Sequence, residues 1–295
     1  METAVALSVS LKELAPCRKE LRVEVPLEDV RAAEDQVYKE IKKSATVPGF
    51  RVGNAPRDLL EQQYGKKARE ETIERLIASS LREALKDRGP LDLVCHPQVT
   101  EVAYEPNRPF SYTAILELAP QVALGRYKGL RLTRPKAKVS NEMREAEHSR
   151  KQALEQEMTL LLLDSWSFDL PPSVVASQAQ RILRQRVMDL MFQGVPPSEI
   201  EGRKDLLTDQ AKVEALKQVK IFFILRRIAV EEKVGVSPEE LEAQIQALAE
   251  GMRAPVDQVR KDLEARGAMD DLMWSIMRAK TVELILQQAQ IKDAK

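Results

Sequence analysis

The stretch VPGFRVGNAP, residues 47–56, stands between two long helical patterns. Upstream, Val30, Ala33, Val37 and Ile41 repeat at helical spacing. Downstream, Leu59, Leu60, Ile73, Leu76, Ile77, Leu81, Ala84 and Leu85 carry a second helix toward Gly89-Pro90, where it stops. Two glycines and two prolines turn the chain between them, and Gly49 and Gly53 allow it to turn tightly. Phe50 and Arg51 sit side by side at the tip, followed by Val52 and Asn54. A bare connector needs only polar turn residues. Two readings are open. In one, the tip docks on a large polyanion, with Phe50 giving apolar or stacking contact and Arg51 a bidentate fork. In the other, Phe50 tucks into the core and the loop is a solvated helix end. Lys39, Lys42, Lys43, Arg51 and Arg57 face a single acid, Glu40, over residues 39–57. Lys66, Lys67 and Arg69 follow on the second helix. Such a patch suits a few phosphates and predicts salt-sensitive binding.

Strands flank this helical pair. Leu21, Val23 and Val25 alternate with Glu20, Arg22 and Glu24. Val5, Leu7 and Val9 alternate before them. Phe110, Tyr112, Ala114, Leu116 and Leu118 alternate after them, and pair with Val99–Tyr104 across the turn at 105–109. Strands at both ends with helices between predict an α+β domain over residues 1–135: an antiparallel sheet with two long helices on one face.

From residue 136 no strand pattern is evident, so residues 136–295 are expected to form an all-α domain. Helices are predicted over 140–163, from 172 to Gly194, over 206–232, from Ser237, over 256–265 and over 269–291. Ser237-Pro-Glu-Glu240 has the form of a capping box with proline at the first helical position. Eight of the nine methionines lie between 143 and 277: Met143, Met158, Met188, Met191, Met252, Met269, Met273 and Met277. Flexible, polarizable side chains suit either a tolerant binding surface or an irregular core.

The composition narrows the function. Forty-six basic residues balance 46 acidic ones, so any binding to nucleic acid must be local. Cys17 and Cys95 form no CxxC pair, which suits a reducing compartment. The start, METAVALSVSLKEL, lacks a basic region followed by an apolar core and does not read as a secretory signal. The most apolar run, 219–230, contains Lys220, Arg226 and Arg227 and is too short to span a membrane. A cytoplasmic protein without membrane contact is expected. His96 and His148 have no companions at metal-ligand spacing. There is no phosphate-cradling glycine motif and no nucleophile elbow. The expectation is a binding protein with no cofactor, metal or catalytic residue.

Gly49-Phe50-Arg51-Val52-Gly53-Asn54-Ala55-Pro56 resembles the ribosome-docking signature of bacterial trigger factor, G-F-R-x-G-K/R-x-P. The resemblance runs along nearly the whole chain. Tyr127-Lys-Gly-Leu130 looks like the family's exit from its ribosome-binding domain, and Asp164–Pro172 like the entry to its C-terminal helical region. It implies an ATP-independent chaperone. Residues Gly49, Phe50, Arg51, Val52, Gly53 and Asn54 would dock on protein and rRNA at the ribosomal exit tunnel. An elongated, cradle-like helical domain would hold nascent or unfolded polypeptides. The alternative is a ribosome-independent holdase or assembly chaperone, a homodimer through its N-terminal domain. The family usually carries an FKBP-like prolyl isomerase domain of about 100 residues between these parts. Here only about 30 residues separate Lys136 from Ser165, so a short form without that domain, and no enzyme, is expected. Asn54 stands where the family has Lys or Arg, which removes one cation from the tip.

Overall fold

The computed structural model describes residues 7–86, 91–134 and 143–293, and the chain divides into two compact units, Met1–Ala119 and Pro120–Lys295. The predicted stop at Gly89-Pro90 lies outside the described residues.

The first unit runs β1 (Ser8–Ala15), β2 (Arg18–Val25), α1 (Leu27–Ser44), α2 (Arg57–Lys86), β3 (Gln98–Ala103) and β4 (Phe110–Glu117). The sheet is antiparallel in the order β1-β2-β4-β3. Alternation sets its two faces. Leu21 lies opposite Ala114, Val23 opposite Tyr112 and Val25 opposite Phe110, so these side chains share one face. All six are buried with Leu116, and Val30, Leu76 and Ala84 of the helices complete the cluster. Their neighbours Arg22 and Glu24 point to the other face and are exposed. Tyr112 is buried, but its hydroxyl is 3.0 Å from Ser80 Oγ on α2, which satisfies both groups. The two edge strands each carry a register shift, at Glu13/Ala15 in β1 and Val99/Glu101 in β3. Such bulges disturb the free edge and discourage further pairing.

The second unit comprises β5 (Arg131–Arg134), α3 (Met143–Ser165), α4 (Pro172–Phe192), α5 (Pro197–Gly202), α6 (Lys204–Glu231), α7 (Pro238–Met252), α8 (Val256–Ala265), α9 (Met269–Gln287) and β6 (Gln290–Asp293). It is not all-α. The last helix, predicted to reach 291, ends at Gln287, and β6 pairs in parallel with β5, Leu132 opposite Ile291. Four residues are too few to show a period, and this pairing links positions some 160 residues apart. The strand at 131–134 belongs to this second unit, whereas the sequence places it at the end of the first domain. The capping box is as expected: Ser237 Oγ accepts from Glu240 N at 3.3 Å, and a Glu240 carboxylate oxygen accepts from Ser237 N at 2.8 Å.

Helix α6 changes character along its length. Its first half buries only Ala211 and Ala215. Its second half, within the apolar run 219–230, buries Val219, Phe223, Ile224, Leu225, Ile228 and Ala229, and α3 and α9 also pack on this helix. Among the described residues no helix is long and apolar enough to cross a membrane.

The segment after the first unit is pinned by side chains. Glu232 accepts from the Tyr127 hydroxyl at 2.7 Å and pairs with Lys128 at 2.6 Å. The Trp166 indole, buried, packs directly on Gly125, where an added Cβ would lie 2.7 Å from Nε1. No real Cβ tolerates that distance. Gly125→Ala is therefore expected to push Trp166 out of place, costing about 1–3 kcal/mol and red-shifting tryptophan emission. Thermal unfolding and fluorescence spectra check it.

Candidate functional site

The loop between α1 and α2 is built from two tandem turns. Phe50 N donates to Val47 O at 3.1 Å, and Asn54 N donates to Arg51 O at 3.0 Å. The third residue of each turn is a glycine at positive φ, Gly49 at 85° and Gly53 at 91°, as a type II turn requires. Pro48 fills the second position of the first turn, where its fixed φ fits. A Cβ at either glycine would meet nothing within 4 Å, so the requirement for glycine is conformational and not steric. Gly53→Ala is expected to cost about 1–2 kcal/mol, confined to the loop. NMR shifts should change at Arg51–Asn54 and stay unchanged in the sheet.

The turns are anchored at both ends. Ala45, Val47 and Ala55 are buried with Val37 and Ile41 of α1 and Leu60 and Ala68 of α2. Between these anchors the tip points outward. Phe50 is 43% exposed and Val52 53%, and Arg51 and Asn54 are exposed as well. The reading in which Phe50 tucks into the core is thereby excluded. A small, locally built platform presents an apolar-basic-apolar triad, Phe50-Arg51-Val52, to solvent.

The basic surroundings are thinner than the sequence suggests. Arg57 pairs with Glu61 at 2.9 Å and with Asp35, and its guanidinium lies 4.8 Å over the Tyr38 ring. These carboxylates hold its pKa above the ordinary arginine value. Arg69 donates to Tyr104 O at 2.8 Å and covers the Tyr104 ring. Glu40, the lone acid counted in the patch, is held below the ordinary carboxylate range by Arg75, which donates to it at 2.6 Å. Lys39 and Lys43 are exposed and Lys42 half-buried.

A second surface lies in the helical unit. Helices α4 and α6 pack antiparallel, and the two flanks of the pair differ. On one flank Gln178 bonds Gln218, and Arg186 bonds Gln210 at 3.0 Å and Glu214. On the other, Val175, Ala179, Leu183, Ala211 and Leu216 line an apolar groove of about 750 Å³. Past the groove, α4 ends in Met188, Met191 and Phe192, all exposed, with Phe192 at 87%. They project from the side of the helix opposite Ala179, Ile182 and Leu190. Leu206, Val213 and Leu216 are exposed on α6. Met158 is core and Met252 exposed, and Met269, Met273 and Met277 are half-buried. The methionines thus divide between both uses. Phe192 and the α6 leucines were not singled out from the sequence. The available signal was that Phe192 lies off the apolar stripe of its own helix.

Two family models match the chain. One, described as bacterial trigger factor protein (TF), covers residues 7–150. The other, bacterial trigger factor protein (TF) C-terminus, covers 132–287, more than half of the chain. The chain belongs to the trigger factor family. The two matches overlap at 132–150, so no interval for an intervening domain lies between them. Trigger factor of Carboxydothermus hydrogenoformans is 37% identical over 142 residues, 48% of this chain and 33% of that one. That of Pelotomaculum thermopropionicum is 38% identical over 123 residues, 41% of this chain and 28% of that one. That of Halothermothrix orenii is 32% identical over 142 residues. The aligned part spans about a third or less of these relatives' length. A solved structure described as "Promiscuous Substrate Recognition in Folding and Assembly Activities of the Trigger Factor Chaperone" superposes with a TM-score of 0.66 at 14% identity. It covers 95% of this chain and 99% of that one, a likeness of fold.

Proposed function

We propose that this protein is an ATP-independent chaperone that docks on the ribosome near the exit tunnel and shields nascent or unfolded chains. Gly49, Phe50, Arg51, Val52, Gly53 and Asn54 form the docking tip. The observation that carries this reading is the outward presentation of Phe50 and Arg51 on a loop whose flanking residues are buried. Phe50 and Val52 supply apolar contact, and Arg51 supplies a fork for phosphate or carboxylate. Two apolar surfaces of the α4–α6 pair hold the client: the exposed Met188, Met191 and Phe192 at the end of α4, and the separate groove lined by Val175, Leu183, Ala211 and Leu216. Holding needs many weak apolar contacts and no nucleotide cycle, and the chain has no nucleotide-binding motif. The protein binds and does not catalyse, and the overlap of the two family matches supports a form with no isomerase domain.

Co-sedimentation with ribosomes at low and moderate salt tests the docking half. Suppression of aggregation of a denatured client tests the holding half. A ribosome-independent holdase is the second reading. It is favoured by Asn54 in place of a cation and by the engagement of Arg57 with Asp35 and Glu61. It predicts aggregation suppression with no co-sedimentation at either salt.

A further inference from the structure

Arg57 stands at the start of α2, directly after the loop, and its charge invites the reading of a further polyanion contact beside the tip. Its contacts point elsewhere. Nε donates to Glu61 one turn along α2, and Nη1 donates to Asp35 on α1. The guanidinium plane covers Tyr38, which lies three residues from Asp35 on the same face of α1. One side chain therefore ties the middle of α1 to the first turn of α2, bridging the two helices from which the loop springs. Both of its carboxylate partners would repel an incoming phosphate. Asp35, Tyr38, Lys39, Lys42, Arg57 and Leu60 line a depression of about 260 Å³ at this junction.

We propose that Arg57 is a positioning residue: it holds the start of α2 against the middle of α1 so that Phe50 and Arg51 are presented in one docking-ready arrangement, and it does not itself bind the polyanion. This rests on the docking role of the loop. The physical logic is preorganisation. Affinity falls in proportion to the fraction of molecules whose loop is in the competent arrangement. Exposed ion pairs add little to global stability, so the contribution is visible in the loop and not in the unfolding transition.

The two roles predict opposite signs for one substitution. If Arg57 were a phosphate ligand, Asp35→Asn would free it and tighten docking. As a positioning residue it loses a partner, and docking weakens. Ribosome affinity of the full chain is measured across a salt series for Arg57→Gln, Asp35→Asn, Lys43→Gln and the Phe50→Ala/Arg51→Ala double variant. Arg57→Gln and Asp35→Asn are expected to weaken docking about fivefold to tenfold, by lowering the competent fraction. The slope of log affinity against log salt stays unchanged, whereas each lost phosphate contact flattens it by about 0.7–0.9. A flatter slope for Arg57→Gln, or tighter binding for Asp35→Asn, overturns the proposal.

A ribosome-free arm separates this from the docking reading itself. The Phe50 and Asn54 amides donate within the two turns. NMR-detected amide exchange at these two positions should quicken in Arg57→Gln and Asp35→Asn and stay unchanged in Lys43→Gln. Arg57→Lys, which keeps the charge but not the fork, should fall between. If the double variant sediments like the parent, the docking role fails while the exchange data still decide positioning. Unaltered exchange in Arg57→Gln overturns positioning even where docking holds.

Discussion

Replacing Phe50 and Arg51 together by alanine is expected to abolish ribosome co-sedimentation at moderate salt while leaving thermal unfolding unchanged. The stability half follows from exposure. Both side chains point out from the anchored turns, and neither joins the cluster of Val37, Ile41, Val47 and Leu60. Substitutions at such positions stay within about 0.5 kcal/mol. The affinity half follows from what the tip can offer. An aromatic anchor at the centre of an interface contributes about 2 kcal/mol or more. A charge-assisted hydrogen bond from Arg51 adds about 1.5–3 kcal/mol. Their joint loss corresponds to at least a hundredfold weakening at roughly 1.4 kcal/mol per decade. Separating the pair is informative. Phe50→Ala should weaken docking equally at all salt concentrations, and Arg51→Ala most at low salt, because only the charge releases counterions.

The salt series also weighs Asn54. With one cation at the tip, the parent protein should show a shallow slope. Asn54→Lys is expected to steepen it by about 0.7–0.9 and to tighten docking at low salt. Nothing in the loop opposes the change, since Asn54 is exposed and no acid lies between Lys39 and Arg57 other than Glu40, which Arg75 already holds. Unchanged sedimentation of the Phe50/Arg51 variant would instead assign this tip to another partner.

What the sequence revealed here depended on range. The loop was legible because glycine and proline punctuate the backbone locally, and tandem turns need no distant partner. The box at Ser237–Glu240 and the alternation at Leu21–Val25 were legible for the same reason. Exposure of Phe50 was not, because a Phe at a helix junction packs inward or outward according to what lies beneath it. Here Val47 and Ala55 are the loop residues buried with α1 and α2, and Phe50 stays outside that cluster. Arg57 carried the same ambiguity, its partner Asp35 lying 22 residues away. The strand at 290–293 exists only through its pairing with 131–134, and so escaped any reading by period. The clustering of methionines between 143 and 277 is visible in the sequence, but their division between core and surface is not. Met158 and Met188 differ in what packs against their helices, and both helices have apolar residues at compatible spacing.

That sorting decides the second large effect. Met188→Ser, Met191→Ser and Phe192→Ser combined are expected to weaken client holding about tenfold or more without lowering the unfolding temperature. Full burial of each such side chain against a client is worth about 1.5–3 kcal/mol. A mobile client covers them only in part and loses freedom on binding, so a net of roughly 1.5–3 kcal/mol for the three is reasonable. Fluorescence titration with an unfolded apolar peptide and light scattering of a denatured client measure it. Met158→Ser is the contrast. That residue is 1% exposed in the core of the helical unit, so its loss should cost about 2–5 kcal/mol of stability by the logic of a buried cavity. The two variants thus exchange phenotypes: one keeps its stability and loses holding, the other loses stability. If the α4 variant held clients as well as the parent, the groove lined by Val175, Leu183, Ala211 and Leu216 would be the remaining apolar surface on this helix pair. Leu183→Glu, placed at its wall, would then be the substitution that removes holding.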